Sequence, residues 1–139
     1  MKYKKYGETY AVRLEVGDEI VKSVLDLAEK ENIKFAEVSA IGAVNKVTMG
    51  LYNLDEKQYH QKTFNEPLEL TSLLGNITRK DGKPYVHLHA NFANEDCVVF
   101  GGHLNEAYIS ATCEMFVRTM GGEMGRAVCE KTGLNIFDI

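Results

Sequence analysis

The chain has 139 residues, of which 45% are apolar, with a net charge of −4. That length fits one domain spanning residues 1–139, and that composition excludes a disordered polymer. The negative balance lacks the bulk basic surface by which most proteins grip nucleic-acid phosphates.

The start, Met1-Lys2-Tyr3-Lys4-Lys5-Tyr6, is basic, but no apolar segment follows of the kind a secretion signal or a membrane span requires. It reads as a solvated terminus whose lysines could at most touch phosphate. Residues 8–16 alternate, with Tyr10, Val12, Leu14 and Val16 on one side, and predict a half-buried strand. Gly17-Asp18 ends the alternation, and Asp18 is the expected N-cap of a helix over residues 19–31. In that helix Ile20, Val21, Val24, Leu25, Leu27 and Ala28 fall on one stripe, with Glu and Lys opposite.

Strands follow almost without pause: 35–44, 46–54, a polar edge strand over 58–64, 68–79, 84–93, 98–104 and 107–118. Asp81-Gly82 is a tight-turn pair, so 68–79 and 84–93 form a hairpin. In the last long strand Ala107, Ile109, Ala111, Cys113, Met115 and Val117 share one face. Its other face, with Phe116, Glu114 and Arg118, is neither core nor ordinary solvent surface and suits a cleft or another subunit. Gly121, Gly122 and Gly125 disfavour a helix, so residues 119–131 read as a loop, with a short closing strand at 134–137. One long helix among many strands predicts an α+β fold: a mostly antiparallel β-sheet with one main flanking α-helix.

Three of the four histidines lie in two short segments, Pro84-Tyr85-Val86-His87-Leu88-His89-Ala90 and Gly101-Gly102-His103-Leu104. Residues two apart on a strand share a face, so His87 and His89 point together while Leu88, Ala90 and Phe92 point to the core. A neighbouring strand carrying His103 would complete a cluster. Three imidazoles with one open position suit zinc or another borderline divalent ion. The same histidines also suit plain hydrogen bonding on a polar face, and spacing alone leaves both readings open. Gly101-Gly102 marks either a close backbone approach or a bend. Glu69, Glu114 and Arg118 are the polar residues that could support such a site, by orienting a histidine or moving a proton, or could be exposed charges or interface ion pairs. Cys97, Cys113 and Cys129 make an odd set without a C-x-x-C pair, which reads as buried free thiols of a cytoplasmic protein. No nucleophile elbow or phosphate loop is present.

The two histidine segments resemble the signature of the plant and prokaryote conserved (PPC) domain family. Leu14-Glu15-Val16-Gly17-Asp18-Glu19, Ser39-Ala40-Ile41-Gly42-Ala43-Val44 and the run from Pro67 to Ile77 are similar to that family too, as is Lys131-Thr132-Gly133-Leu134. The resemblance implies a homotrimer. It also implies a divalent metal, zinc in the simplest case, on the histidines matching His87, His89 and His103. Stand-alone members are described as DNA-binding by analogy, which implies DNA or a DNA-binding protein as a partner. Plant members read the minor groove through an Arg-Gly-Arg-Pro hook ahead of the domain, and no such segment occurs in this sequence. The expected function is a binding and assembly module with a regulatory or DNA-associated role. The alternative is a metal-dependent enzyme acting on a small molecule.

Overall fold

The computed structural model describes residues 1–139. In chain order the elements are β1 (Lys2–Tyr6), β2 (Thr9–Glu15), α1 (Ile20–Lys30), β3 (Ala36–Asn53), β4 (Gln58–Phe64), β5 (Leu68–Lys80), β6 (Lys83–Ala93), β7 (Val99–Thr119), β8 (Arg126–Val128) and β9 (Asn135–Phe137). The first seven strands form one antiparallel sheet in the order β1-β2-β7-β6-β5-β3-β4. A further pairing of β7 with β3 closes β3, β5, β6 and β7 into a ring. β8 and β9 form a separate small hairpin.

Alternation explains the burial. Tyr10, Val12 and Leu14 of β2, Leu88, Ala90 and Phe92 of β6, and Cys113, Met115 and Val117 of β7 all enter one hydrophobic cluster. Of the three thiols expected to be buried only Cys113 is, because Cys129 lies half-buried in the glycine-rich tail and Cys97 is exposed in the turn before β7. Helix α1 lies across β6 and β7 and gives Ile20, Val24, Leu27 and Ala28 to the same cluster. The Asp81-Gly82 turn forms as expected. Both residues take positive φ, 51° and 76°, which is the backbone of a tight two-residue hairpin, and Lys80 pairs with Lys83.

Four other local expectations need correction. Asp18 is not the helix cap. Glu19 is, and its carboxylate accepts the N–H groups of Val21 and Lys22 while also taking the Ala107 N–H at 2.9 Å, which ties the helix start to β7. Asp18 instead accepts the Glu15 N–H, a bond that holds its carboxyl below the ordinary range. The basic start is a strand: β1 pairs with β2 from Lys2↔Arg13 to Tyr6↔Thr9, and Tyr3 turns inward to donate to Glu31 at 2.6 Å.

The strands expected at 35–44 and 46–54 are one strand, β3, and those at 98–104 and 107–118 are likewise one strand, β7. Register shifts at Gly42, Val44 and Thr48 along the β3–β7 ladder absorb the breaks in alternation, so that Ala111 ends up exposed. Finally, the glycine-rich tail holds β8, which pairs with β9 from Arg126↔Phe137 to Val128↔Asn135.

Candidate metal centre

His87 and His89 project from β6 on the face away from Phe92, and the β6–β7 ladder sets His103 directly opposite His89. β7 is flanked on both sides at this point, because His103 is also the cross-strand partner of Gly50 in β3. Small residues make that crowding feasible. A Cβ on Gly102 would stand 2.8 Å from the Gly50 carbonyl oxygen, and one on Gly101 would stand 2.5 Å from the Ala90 carbonyl oxygen. The Gly101-Gly102 pair therefore serves close approach of three backbones, one of the two readings the sequence left open.

The three imidazoles each bring a ring nitrogen to within 4.8 Å of the others. Nε2 of His87 and Nε2 of His89 are 3.2 Å apart, and the ring centroids are separated by 5.1, 5.2 and 5.6 Å. Zinc–nitrogen bonds of about 2.0–2.1 Å in a tetrahedron need nitrogens roughly 3.3 Å apart, so this donor set fits a small divalent ion. The electrostatics agree with ligation. Burial, with the neighbouring His103, His89 and Arg126 adding to it, pulls the His87 pKa down to about 4. Burial followed by His89 lowers that of His103 as well. Both rings are thus neutral near pH 7, which is the form that binds a metal.

The imidazoles open onto a cavity of about 660 Å³. Its sheet side carries Asn76, the cross-strand partner of His87, and Tyr59, whose ring meets the His103 ring edge-on at 5.9 Å. Tyr59 donates to Asn105 at 2.6 Å, and burial raises its phenol above the usual range. The opposite side is the β8–β9 hairpin, which contributes Arg126, Leu134, Ile136 and Phe137. Arg126 donates to Thr78 at 3.0 Å and to the Asn135 carbonyl at 3.2 Å, and also to the Asn76 side chain. Its guanidinium lies over the Tyr85 and Phe137 rings at 5.0 and 4.6 Å.

The residues singled out as possible support lie elsewhere. Glu69 is exposed on β5 opposite Ala93, roughly 13 Å along β6 from His89. Glu114 is exposed on β7 between Arg13 and Ile41, on the order of 30 Å up the strand from His103. Arg118 pairs with Glu37 at 2.9 Å. None of the three lines the cavity. Asn76 could have been found from sequence, since counting back from the Asp81-Gly82 turn sets it against His87. Arg126 carried no such signal, because it sits in a stretch whose glycines read as loop.

A closed antiparallel sheet bearing three clustered histidines at a cavity defines a β-rich fold whose imidazoles could together hold a metal ion. The model of the Plants and Prokaryotes Conserved (PCC) domain matches residues 1–121, and the chain belongs to that family. A candidate DNA-binding protein from Bacteroides thetaiotaomicron is similar at 32% identity, over 99% of this chain and 96% of that one, with a TM-score of 0.96. A metal-containing protein from Archaeoglobus fulgidus is similar at 38% identity over 99% of both chains, with a TM-score of 0.88. A plant- and prokaryote-conserved protein from Pyrococcus horikoshii is 30% identical over 99% of this chain and 95% of that one, at a TM-score of 0.87. A search of curated proteins finds no match.

Proposed function

We propose that this chain is a homotrimeric binding and assembly module of the cytoplasm. In this reading it holds a divalent ion, zinc in the simplest case, on His87, His89 and His103. The observation that carries the reading is the imidazole cluster, with two nitrogens 3.2 Å apart and all three within 4.8 Å. The neutral state of His87 and His103 and the metal in the Archaeoglobus relative add to it.

Self-association rests on the outer face of the sheet. Leu74, Ser39 and Phe116 form one cross-strand row, and Leu74, Phe116 and nearby Ile41 are 65%, 58% and 58% exposed. Large apolar side chains exposed this close together, with only the small Ser39 between Leu74 and Phe116, favour covering by another chain. Glu114 and Arg118 flank Phe116 and belong, in this reading, to that face rather than to the metal. Free thiols at Cys97, Cys113 and Cys129 suit a reducing compartment, and no helix is long and apolar enough to cross a membrane. The Bacteroides relative's description favours an association with DNA. The net charge of −4 favours making it through a DNA-binding partner rather than through this domain's own surface.

Native mass spectrometry tests both parts together. The expected species is three chains with one ion each, and His87→Ala should keep the trimer and lose the ions. Protein without metal in either form would end the metal reading, and a monomer at micromolar concentration would end the assembly reading.

A second reading is favoured by the cavity. Its volume of about 660 Å³ falls in the range of small-molecule sites, roughly 300–1,000 Å³. Three imidazoles leave a coordination position free, and a bound divalent ion there would polarise an oxygen or lower the pKa of a water towards about 7. In that reading the protein is a metal-dependent enzyme acting on a small molecule.

A further inference from the structure

The arginines of this chain are not alike. Arg13, Arg79 and Arg118 each have a carboxylate within reach, Glu15 at 3.0 Å, Glu29 at 3.5 Å and Glu37 at 2.9 Å. Arg126 has none. Its three bonds go to neutral acceptors, Thr78 Oγ1, the Asn135 carbonyl and Asn76 Oδ1. A guanidinium has five N–H donors in a planar fork, so two remain. The cavity beside it contains no Asp or Glu. The chain therefore presents an unpaired cation in an acid-free cavity, although its overall charge is −4.

An unpaired, partly buried charge is costly unless something compensates it. The stacking of Arg126 between Tyr85 and Phe137 fixes the plane of the fork and so prepares it for a planar anion. Apart from Arg126, Asn76, Asn135 and the three histidines, the side chains of the lining are apolar or aromatic, among them Leu51, Tyr52, Leu134 and Ile136. A phosphate or sulfate would leave that apolar part of the lining unused. A small carboxylate with a compact apolar body matches both parts.

We propose that the cavity is a binding site for a small organic carboxylate, held by the free N–H donors of Arg126 with its apolar body against the β8–β9 hairpin. The site depends on the metal-centre reading only for the further possibility that a second polar atom of the ligand reaches the open coordination position. Recognition of the carboxylate needs Arg126 alone. The hairpin, which lies beyond the stretch matched by the family model, would then set ligand choice in this chain.

The probes are benzoate and its neutral analogue benzamide, measured by isothermal titration on metal-free and zinc-loaded wild type. Benzoate is expected to bind at least about tenfold more tightly than benzamide in both forms. Arg126→Gln should remove that preference. Because Arg126 also fastens the hairpin, Phe35→Ala serves as a control: it removes the ring on the body against which Phe137 packs, loosens the same hairpin, and leaves both the cation and the cavity lining in place. It should keep most of the preference. In wild type, the Arg126 Nε–H resonance should shift with benzoate and not with benzamide, a readout that requires no variant.

Equal affinity for the two probes would overturn the proposal. So would a preference seen only with zinc and unchanged in Arg126→Gln, which would belong to the metal. Loss in Phe35→Ala as deep as in Arg126→Gln would make Arg126 a structural clip only. A protein that takes no metal would sink the metal-centre reading and leave the metal-free titration to decide this one.

Discussion

The cavity has two walls of different construction. The sheet wall carries His87, His89 and His103 on β6 and β7, each strand laddered on both sides, with Phe92 and Leu88 fully buried behind it. The hairpin wall is two strands of three residues, β8 and β9, joined to the body through Arg126, through backbone bonds such as Arg79 N–H to Met124 at 2.8 Å, and through Phe137 against Phe35. One wall is therefore positioned by the global fold and the other by a few local contacts. Metal ligands need fixed geometry to within fractions of an ångström, whereas a ligand-selecting wall tolerates adjustment. The proposed division of chemistry, metal on the sheet wall and ligand choice on the hairpin wall, follows the division of stiffness.

The largest effect should come from striking the sheet wall from behind. Phe92 is fully buried between Leu70 of β5 and Phe100 of β7. Phe92→Ala is expected to cost about 3–5 kcal/mol, through lost burial and the cavity left behind. Chemical denaturation should show this as a lower midpoint, with metal affinity falling alongside because β6 carries two of the proposed ligands, His87 and His89. A variant that kept wild-type metal affinity despite such a loss would show that the histidines are not positioned by the core.

A smaller and more local effect is expected on the other side. Phe137 is half-buried and contacts Phe35 and Arg126. Phe137→Ala should cost only about 1–2 kcal/mol. Amide exchange should quicken across residues 126–137 while β5 and β6 keep their protection. If exchange rose equally in β6, the two walls would be one cooperative unit and the contrast between them would be lost.

The two walls also differed in how far they could be read from sequence. His87 and His89 declared themselves because a strand repeats every two residues. The Asp81-Gly82 turn fixed the hairpin register that sets Asn76 against His87. The pairing of His89 with His103 needed the resemblance to a known family as well, since no local rule says which strand lies beside β6. What stayed hidden was set by tertiary structure. Continuity of β3 and β7 relies on bulges that close the ring, and Gly42 permits it: a Cβ there would stand 2.5 Å from the Thr112 carbonyl oxygen. Glu19 rather than Asp18 caps α1 because its longer side chain also reaches the Ala107 N–H of β7, a contact that the local sequence does not encode. Arg126 lay in a glycine-rich stretch where propensity favours loop, and only packing on Tyr85 and Phe137 orders it.

The smallest effect separates the walls by pH. In the metal-free protein the His87 pKa of about 4 lies below that of an unfolded histidine, near 6.5, chiefly because burial disfavours the charged ring. His103 shifts in the same direction for the same cause. Between those two values the unfolded chain binds more protons than the folded one, so stability rises with pH. Read downwards, the stability held at neutral pH starts to be lost as pH falls through about 6.5 and continues to be lost until the folded-state value near 4. Arg126 stays protonated across this window and contributes no slope. Between about pH 7 and 5, above the range where most carboxylates titrate, the melting temperature of metal-free protein should therefore fall with acid, and His87→Asn should flatten the fall. Loading with zinc should raise melting most at the neutral end, because protons and metal compete for the same nitrogens. An unchanged slope in His87→Asn would mean that the acid sensitivity arises outside the sheet wall, and that the half-buried imidazoles of His87 and His103 are not held neutral by the fold.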